Sequence, residues 1–267
     1  MATDPTARFE AVMAGPEHAV DVDEVALLIA AHANPLVSLS EERTRLDALA
    51  DAVPVHTVDG VMHHLFVDER FGGNSVDYDD PANSYLDVVL RRRLGIPISL
   101  AVLASEVGRR AGVGLHVVGM PGHVLIGADG VDGAWWDPFA GGTRLDQEGC
   151  VAIHRGVLGL GARLGARDLL PIGPFAIAAR MLGNLQRIHH ARRDRRSLAW
   201  VLQLRSAVPG VPLTDRRLLA STLAADGRFG EAAAALDTLT TLAAEAGDEA
   251  LAEESAHGAT RLRARLN

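Results

Sequence analysis

Lysine is absent from this 267-residue chain, and all 26 of its basic side chains are arginine. No lysine of the chain can therefore serve as an amine donor. Cysteine is almost absent too: Cys150 stands alone, which rules out an internal disulfide and matches a reducing compartment. With no second thiol, and with His32, His56, His63, His64, His116 and His154 at spacings that fit no ligand pattern, a structural zinc site is not expected, nor is any cofactor. Long apolar runs are also lacking. None reaches transmembrane length, and Met1-Ala2-Thr3-Asp4-Pro5 has neither the basic region nor the apolar core of a secretory signal. The expectation is a cytoplasmic protein with no membrane partner. Positive charge is in deficit, the formal net charge being −8 at pH 7, which argues against a general DNA or anionic-membrane binder.

Apolar residues, by contrast, make up 48% of the chain, enough for a sizeable core, and the length fits one globular domain with a smaller companion. In chain order, Asp21-Val22-Asp23-Glu24 reads as the acidic first turn of a buried helix that Asn34-Pro35 stops. Ser40 is the expected N-cap of an amphipathic helix with Leu46, Leu49 and Ala50 on its apolar side. A third helix is expected over 59–69, and Ser84 is the expected cap of a fourth over 85–93. After the central helix, strands are expected over 115–120, 122–126 and 134–136, with turn signals at Asp129-Gly130 and Asp132-Gly133. Helices followed by a small antiparallel sheet describe an α+β domain. A helix near 146–157 follows, and from about residue 170 the pattern is helical throughout. The expected division is therefore 1–170 and 171–267. Leu223-Ala224-Ala225-Asp226-Gly227-Arg228-Phe229-Gly230-Glu231-Ala232 resembles the inter-helix turn of a tetratricopeptide unit, although at most one or two units fit and a plain helical hairpin reads equally well.

The stretch Arg93-Leu94-Gly95-Ile96-Pro97-Ile98-Ser99-Leu100 organises the chemistry. Pro97 ends whatever precedes it, and the residues that follow are mostly good helix formers, so Ser99 is expected at or beside a helix N-terminus. His123 opens the run Val124-Leu125-Ile126, and Asp137 closes Ala134-Trp135-Trp136. The order is nucleophile candidate, imidazole, carboxylate. Taken singly, each has a plainer reading: Ser99 as a helix cap, His123 as a core histidine bonded to a carbonyl, Asp137 as an Asx-turn. The basic run around His189-His190, with Arg187, Arg192, Arg193, Arg195 and Arg196, reads as a solvated face, since no aromatics interleave to stack bases.

These residues, with Asp80-Pro81-Ala82-Asn83-Ser84-Tyr85-Leu86, Glu106-Val107-Gly108-Arg109-Arg110, Pro121-Gly122-His123 and Asp137-Pro138-Phe139-Ala140-Gly141-Gly142, carry a resemblance. The chain resembles the bacterial SirB-one family, a branch of the transglutaminase-like superfamily with a papain-related fold and a tetratricopeptide-like helical C-terminal part. The resemblance implies a site in which Ser99 stands at the position of the superfamily's cysteine, His123 at its histidine and Asp137 at its aspartate. Serine is the departure. A thiol ionises near neutral pH and a helix N-terminus stabilises its thiolate, whereas a serine hydroxyl must lose its proton during attack. Cys150 follows the aspartate in sequence, so nothing in the motif lets it substitute. Two readings follow. In one, the site is a relic and the cleft binds a peptide or protein segment. In the other, Ser99 attacks an amide or ester with His123 as base, Asp137 orienting the imidazole and helix-start N–H groups as oxyanion hole.

Overall fold

The structure, a computed structural model, describes residues 4–266. Its first helix, α1 (Pro5–Met13), is started by Asp4, whose carboxylate accepts from the Thr6 N–H, with proline at the first helical position. α2 (Val22–Ala33) has all of Val25 to Ala30 buried, so it is a core helix rather than an amphipathic one. α3 (Leu39–Asp51) is capped by Ser38, which accepts from Glu41 N–H at 3.4 Å, and not by the expected Ser40. The expected third helix begins as α4 (Val58–His63) and widens into one π turn over His64–Asp68. Ser84 is not a cap either. It ends a 3₁₀ turn (Pro81–Ser84) and is fully buried; Tyr85 occupies the cap position of α5 (Leu86–Arg92) without a side-chain bond.

Two short segments, β1 (Gly72–Gly73) and β2 (Leu94–Gly95), pair in parallel and bring the loop after α4 beside the start of α6 (Pro97–Arg110). α6 is the centre of the molecule, and its residues from Pro97 to Ala104 are all buried. Beyond it, β3 (Leu115–Val118), β4 (Leu125–Ala128), β5 (Val131–Asp137) and β6 (Thr143–Leu145) form an antiparallel meander in sequence order. The α+β expectation is met, with two corrections. β4 starts at Leu125, so His123 lies in the turn before the strand. β6 has too few apolar residues to announce itself.

α7 (Gln147–Leu158), capped by Asp146, covers one face of the sheet, where Val118, Met120, Leu125 and Cys150 form a small cluster. The rest is helical: α8 (Pro174–Ala191), α9 (Arg195–Ala207), α10 (Thr214–Ala225), α11 (Phe229–Glu245) and α12 (Glu249–Arg263), each packed on the next. No strand follows Pro174 among the described residues. The apolar core nevertheless crosses residue 170, because Ile177, Met181, Leu182 and Leu185 of α8 and Val201 and Leu204 of α9 join the cluster built on α2 and α6. A separate cluster, with Leu202, Leu219, Leu223 and Ala232, ties α9 to α10 and α11. None of the helices described is long and apolar enough to cross a membrane.

Candidate functional site

His123 and Asp137 meet. The imidazole Nε2 is 2.9 Å from Asp137 Oδ1, and both side chains are largely buried. The same carboxylate oxygen accepts from the main-chain N–H groups of Phe139 at 2.9 Å and Ala140 at 3.3 Å. Asp137 is thus at once an Asx-turn at a strand end and the partner of a histidine; the two readings of its sequence context coexist. A carboxylate met by two N–H dipoles is held in one orientation, and it fixes the ring in turn. The loop behind it is tight: Gly142 has φ +72°, and a Cβ there would fall 2.6 Å from the Phe66 ring.

The turn carrying His123 is held from the other side. Gly122 takes φ +82°, the His123 N–H donates to the Met120 carbonyl at 3.0 Å, and Arg180 Nη2 donates to the carbonyls of both Met120 and His123 at 2.9 Å. Arg180 lies on α8, 57 residues away in sequence, and no local pattern announces the contact.

Ser99 is placed differently. Pro97 is the first helical residue, so Ser99 is the third, and its side chain is 0% exposed. Its Oγ accepts from the Ile96 N–H at 3.0 Å and has two carbonyls within donating reach, Asn83 at 2.6 Å and Ile96 at 3.1 Å. Asn83 is itself fully buried, receives a bond from Asn74 Nδ2 at 3.0 Å and donates to the Asp77 carbonyl at 2.7 Å. The hydroxyl therefore fastens the Asp80–Ser84 segment to the start of α6. Among the described residues, the structure brings His123 and Asp137 together by a hydrogen bond and gives Ser99 no bond to His123.

The cavity in front of His123, about 580 Å³, is lined by Ile98 rather than Ser99, together with Pro97, Tyr78, Val124 and three residues of α8: Arg180, Asn184 and Arg187. Cys150 supplies no ready nucleophile in place of Ser99: it is fully buried, and burial, helped by the Asp146 and Asp137 carboxylates, pushes its thiol up to about 11. The basic run at the end of α8 is more than a solvated face, since Arg187 pairs with Asp79 at 2.8 Å and Arg192 donates to the Asp79 carbonyl at 2.9 Å.

Comparison with known proteins places the chain in a family. The family model for the transglutaminase-like superfamily matches residues 29–183. A UPF0162 protein of Xylella fastidiosa is 41% identical over 166 residues, which is 59% of this chain and 59% of that protein. A UPF0162 protein of Vibrio cholerae is 31% identical over 181 residues, 63% of this chain and 66% of the relative. F-box only protein 21 of Mus musculus is 32% identical over 137 residues, 48% of this chain but only 21% of that longer protein. The chain thus spans about three fifths of the length of the Xylella relative. No solved structure gives a significant match. The family match takes in more than half of the chain, from the buried α2 through α6, the sheet and the His123–Asp137 pair to the middle of α8, and the chain belongs to the transglutaminase-like superfamily.

Proposed function

We propose that this chain is a SirB-one-type, cytoplasmic binding module in which the superfamily's catalytic cleft holds a peptide or protein segment without cleaving it. One observation carries the reading: the Ser99 hydroxyl is fully buried and committed to Ile96 and Asn83, so no nucleophile faces the imidazole. A serine triad needs the hydroxyl within hydrogen-bond reach of its base. The helices from α8 onward, tetratricopeptide-like in the turn between α10 and α11, supply a second surface beside the cleft. The rival reading, a Ser-His-Asp hydrolase or acyltransferase, draws on the ordered His123–Asp137 pair.

A fluorophosphonate probe with a panel of ester and amide substrates separates the two. The binding reading expects no adduct at Ser99 and the same negligible turnover in Ser99→Ala as in the parent. An adduct at Ser99 that disappears in His123→Ala would establish the enzyme instead. Purification of the tagged chain from its host, with identification of the peptides or proteins retained by the parent and lost in His123→Ala, tests the binding itself.

A further inference from the structure

Residues 180, 184 and 187 recur at the i, i+4, i+7 spacing of one helical stripe, and on α8 that stripe puts Arg180, Asn184 and Arg187 along one wall of the His123 cavity. Arg180 has no carboxylate within ion-pair distance among the described residues; both of its bonds run from Nη2 to main-chain carbonyls. Its Nε and Nη1 make no hydrogen bond, yet they are not among the buried polar atoms left without a partner, so they keep contact with solvent. Burial works against this guanidinium, lowering its pKa, with Tyr78 in part opposing the shift. A cation held with two free donor groups and no counter-charge is what an anionic ligand requires. Arg187 adds a second guanidinium, half-exposed and matched by Asp79 alone. Pro97 and Ile98, which also line the cavity, open α6; proline has no N–H to offer, but the Ile98 N–H has no intrahelical acceptor and the helix dipole is positive there. Asp137 is not part of the cavity lining; Asp79 is, and its carboxylate is paired with Arg187, which leaves the charge of Arg180 uncompensated. With Arg180 and Arg187 set against Asp79, the recess keeps a net positive charge in a chain whose net charge is −8.

We infer that the His123 cavity binds a carboxylate, gripped by Arg180 and Arg187 with Asn184 beside them and with the ligand's apolar body against Ile98 and Val124. The inference rests on the binding reading above and names the chemistry that the cleft selects. A flat guanidinium fork matches the two oxygens of a carboxylate, and the apolar residues facing it suit an organic acid better than a bare inorganic anion. The carboxylate comes either from the C-terminus of a peptide or from a small free acid.

The test is calorimetric titration of the full chain with four probes: N-acetyl-Ala-Leu-Ala as the free acid, the same tripeptide as its C-terminal amide, glutarate, and inorganic phosphate. Binding of the free acid with at least tenfold loss in the amide supports the inference and assigns the source to a peptide terminus. Binding of glutarate as tight as that of the tripeptide acid supports it and assigns the source to small acids. Asp79→Asn frees Arg187 and is expected to tighten the carboxylate several-fold, whereas Arg187→Gln is expected to weaken it about tenfold. Arg180→Gln is expected to weaken it further, and Arg180→Lys, which keeps the charge, is expected to recover part of the loss; circular dichroism checks that each variant is folded. Equal affinity for acid and amide, a preference for phosphate, no binding of any probe, or an Asp79→Asn variant that binds no tighter would each overturn the inference. Equal binding of acid and amide would leave the peptide-binding reading standing, while a fluorophosphonate adduct at Ser99 would remove that reading without touching the carboxylate result.

Discussion

One hydroxyl proton at Ser99 serves two carbonyls, and one lone pair serves the Ile96 N–H. In a fully buried place such a set stabilises the fold, because truncation leaves both a donor and an acceptor with nothing to bond. Ser99→Ala is therefore expected to fold but to lose about 1–3 kcal/mol, read as a lower urea midpoint with an unchanged slope. If Ser99 were instead a free nucleophile in an open cleft, the same change would leave the midpoint where it is. The sequence already held the means to see this. A proline at the first helical position makes Ile96 the cap and Ser99 the third residue, turned inward. Serine beside a helix start reads alike in both roles until the proline is counted. His123 and Asp137 were legible as a candidate pair from their order and strand contexts, and the family resemblance strengthened it, although a strand, a turn and 14 residues of chain separate them. Asn83 was visible as part of a motif, but neither its role nor that of Arg180 could be read locally. Their partners lie 16 and 57 residues away, and periodicity reports only which face of an element is apolar.

Among the elements, α2, α3 and α6 were each legible from apolar runs and stop signals, but what clamps them together is ionic. Asp23 of α2 is 2% exposed and accepts from Arg43 of α3 at 3.1 Å and from Arg110 of α6, which also holds Glu106 and Asp47. Burial alone would raise the Asp23 pKa. The hydrogen bonds and charges of the two arginines outweigh it and hold the carboxyl below its ordinary value. A folded-state pKa below the unfolded one means stability that is present above the unfolded value of about 4 and is lost as pH falls through the lower, folded one. Asp23→Asn is expected to cost about 3 kcal/mol at pH 7, since it leaves two guanidiniums facing a neutral amide. The gap to the parent should close as the pH is lowered toward 2, when the parent's own carboxyl takes up its proton. Urea denaturation of both chains at pH 7, 4 and 2.5 checks this, and a gap that stays constant across the series would place the cost in packing rather than in charge. The sheet was less legible than the helices. β4 begins two residues past the histidine because Gly122 and the Met120–His123 bond hold a turn there, and alternation in so short a strand cannot mark its first residue.

For the molecule as a whole, the sequence led to a division near residue 170, whereas the last strand ends at Leu145 and α7 already follows it. The packing follows a different line. Ile177, Met181, Leu182 and Leu185 of α8 close the core over α2 and α6, and the His123 cavity takes one of its walls from the same helix. Composition and turn signals show where elements end, but whether the next element shares a core depends on contacts across the chain. Deleting residues 171–267 would uncover the apolar faces of α2 and α6 and remove Arg180 from the His123 turn, so that fragment is expected to be aggregated or molten. Ending the chain after Val211 keeps α8 and α9 and exposes mainly the Leu198, Leu202 face that packs on α10 and α11. This longer fragment is expected to unfold in one cooperative transition at a lowered Tm, with its tryptophan fluorescence still blue-shifted by burial of Trp136. Calorimetry of the two fragments beside the full chain decides the matter: a fragment ending at residue 170 that melts as cooperatively as the longer one would show that the part built on α2, α6 and the sheet needs no helix beyond α7.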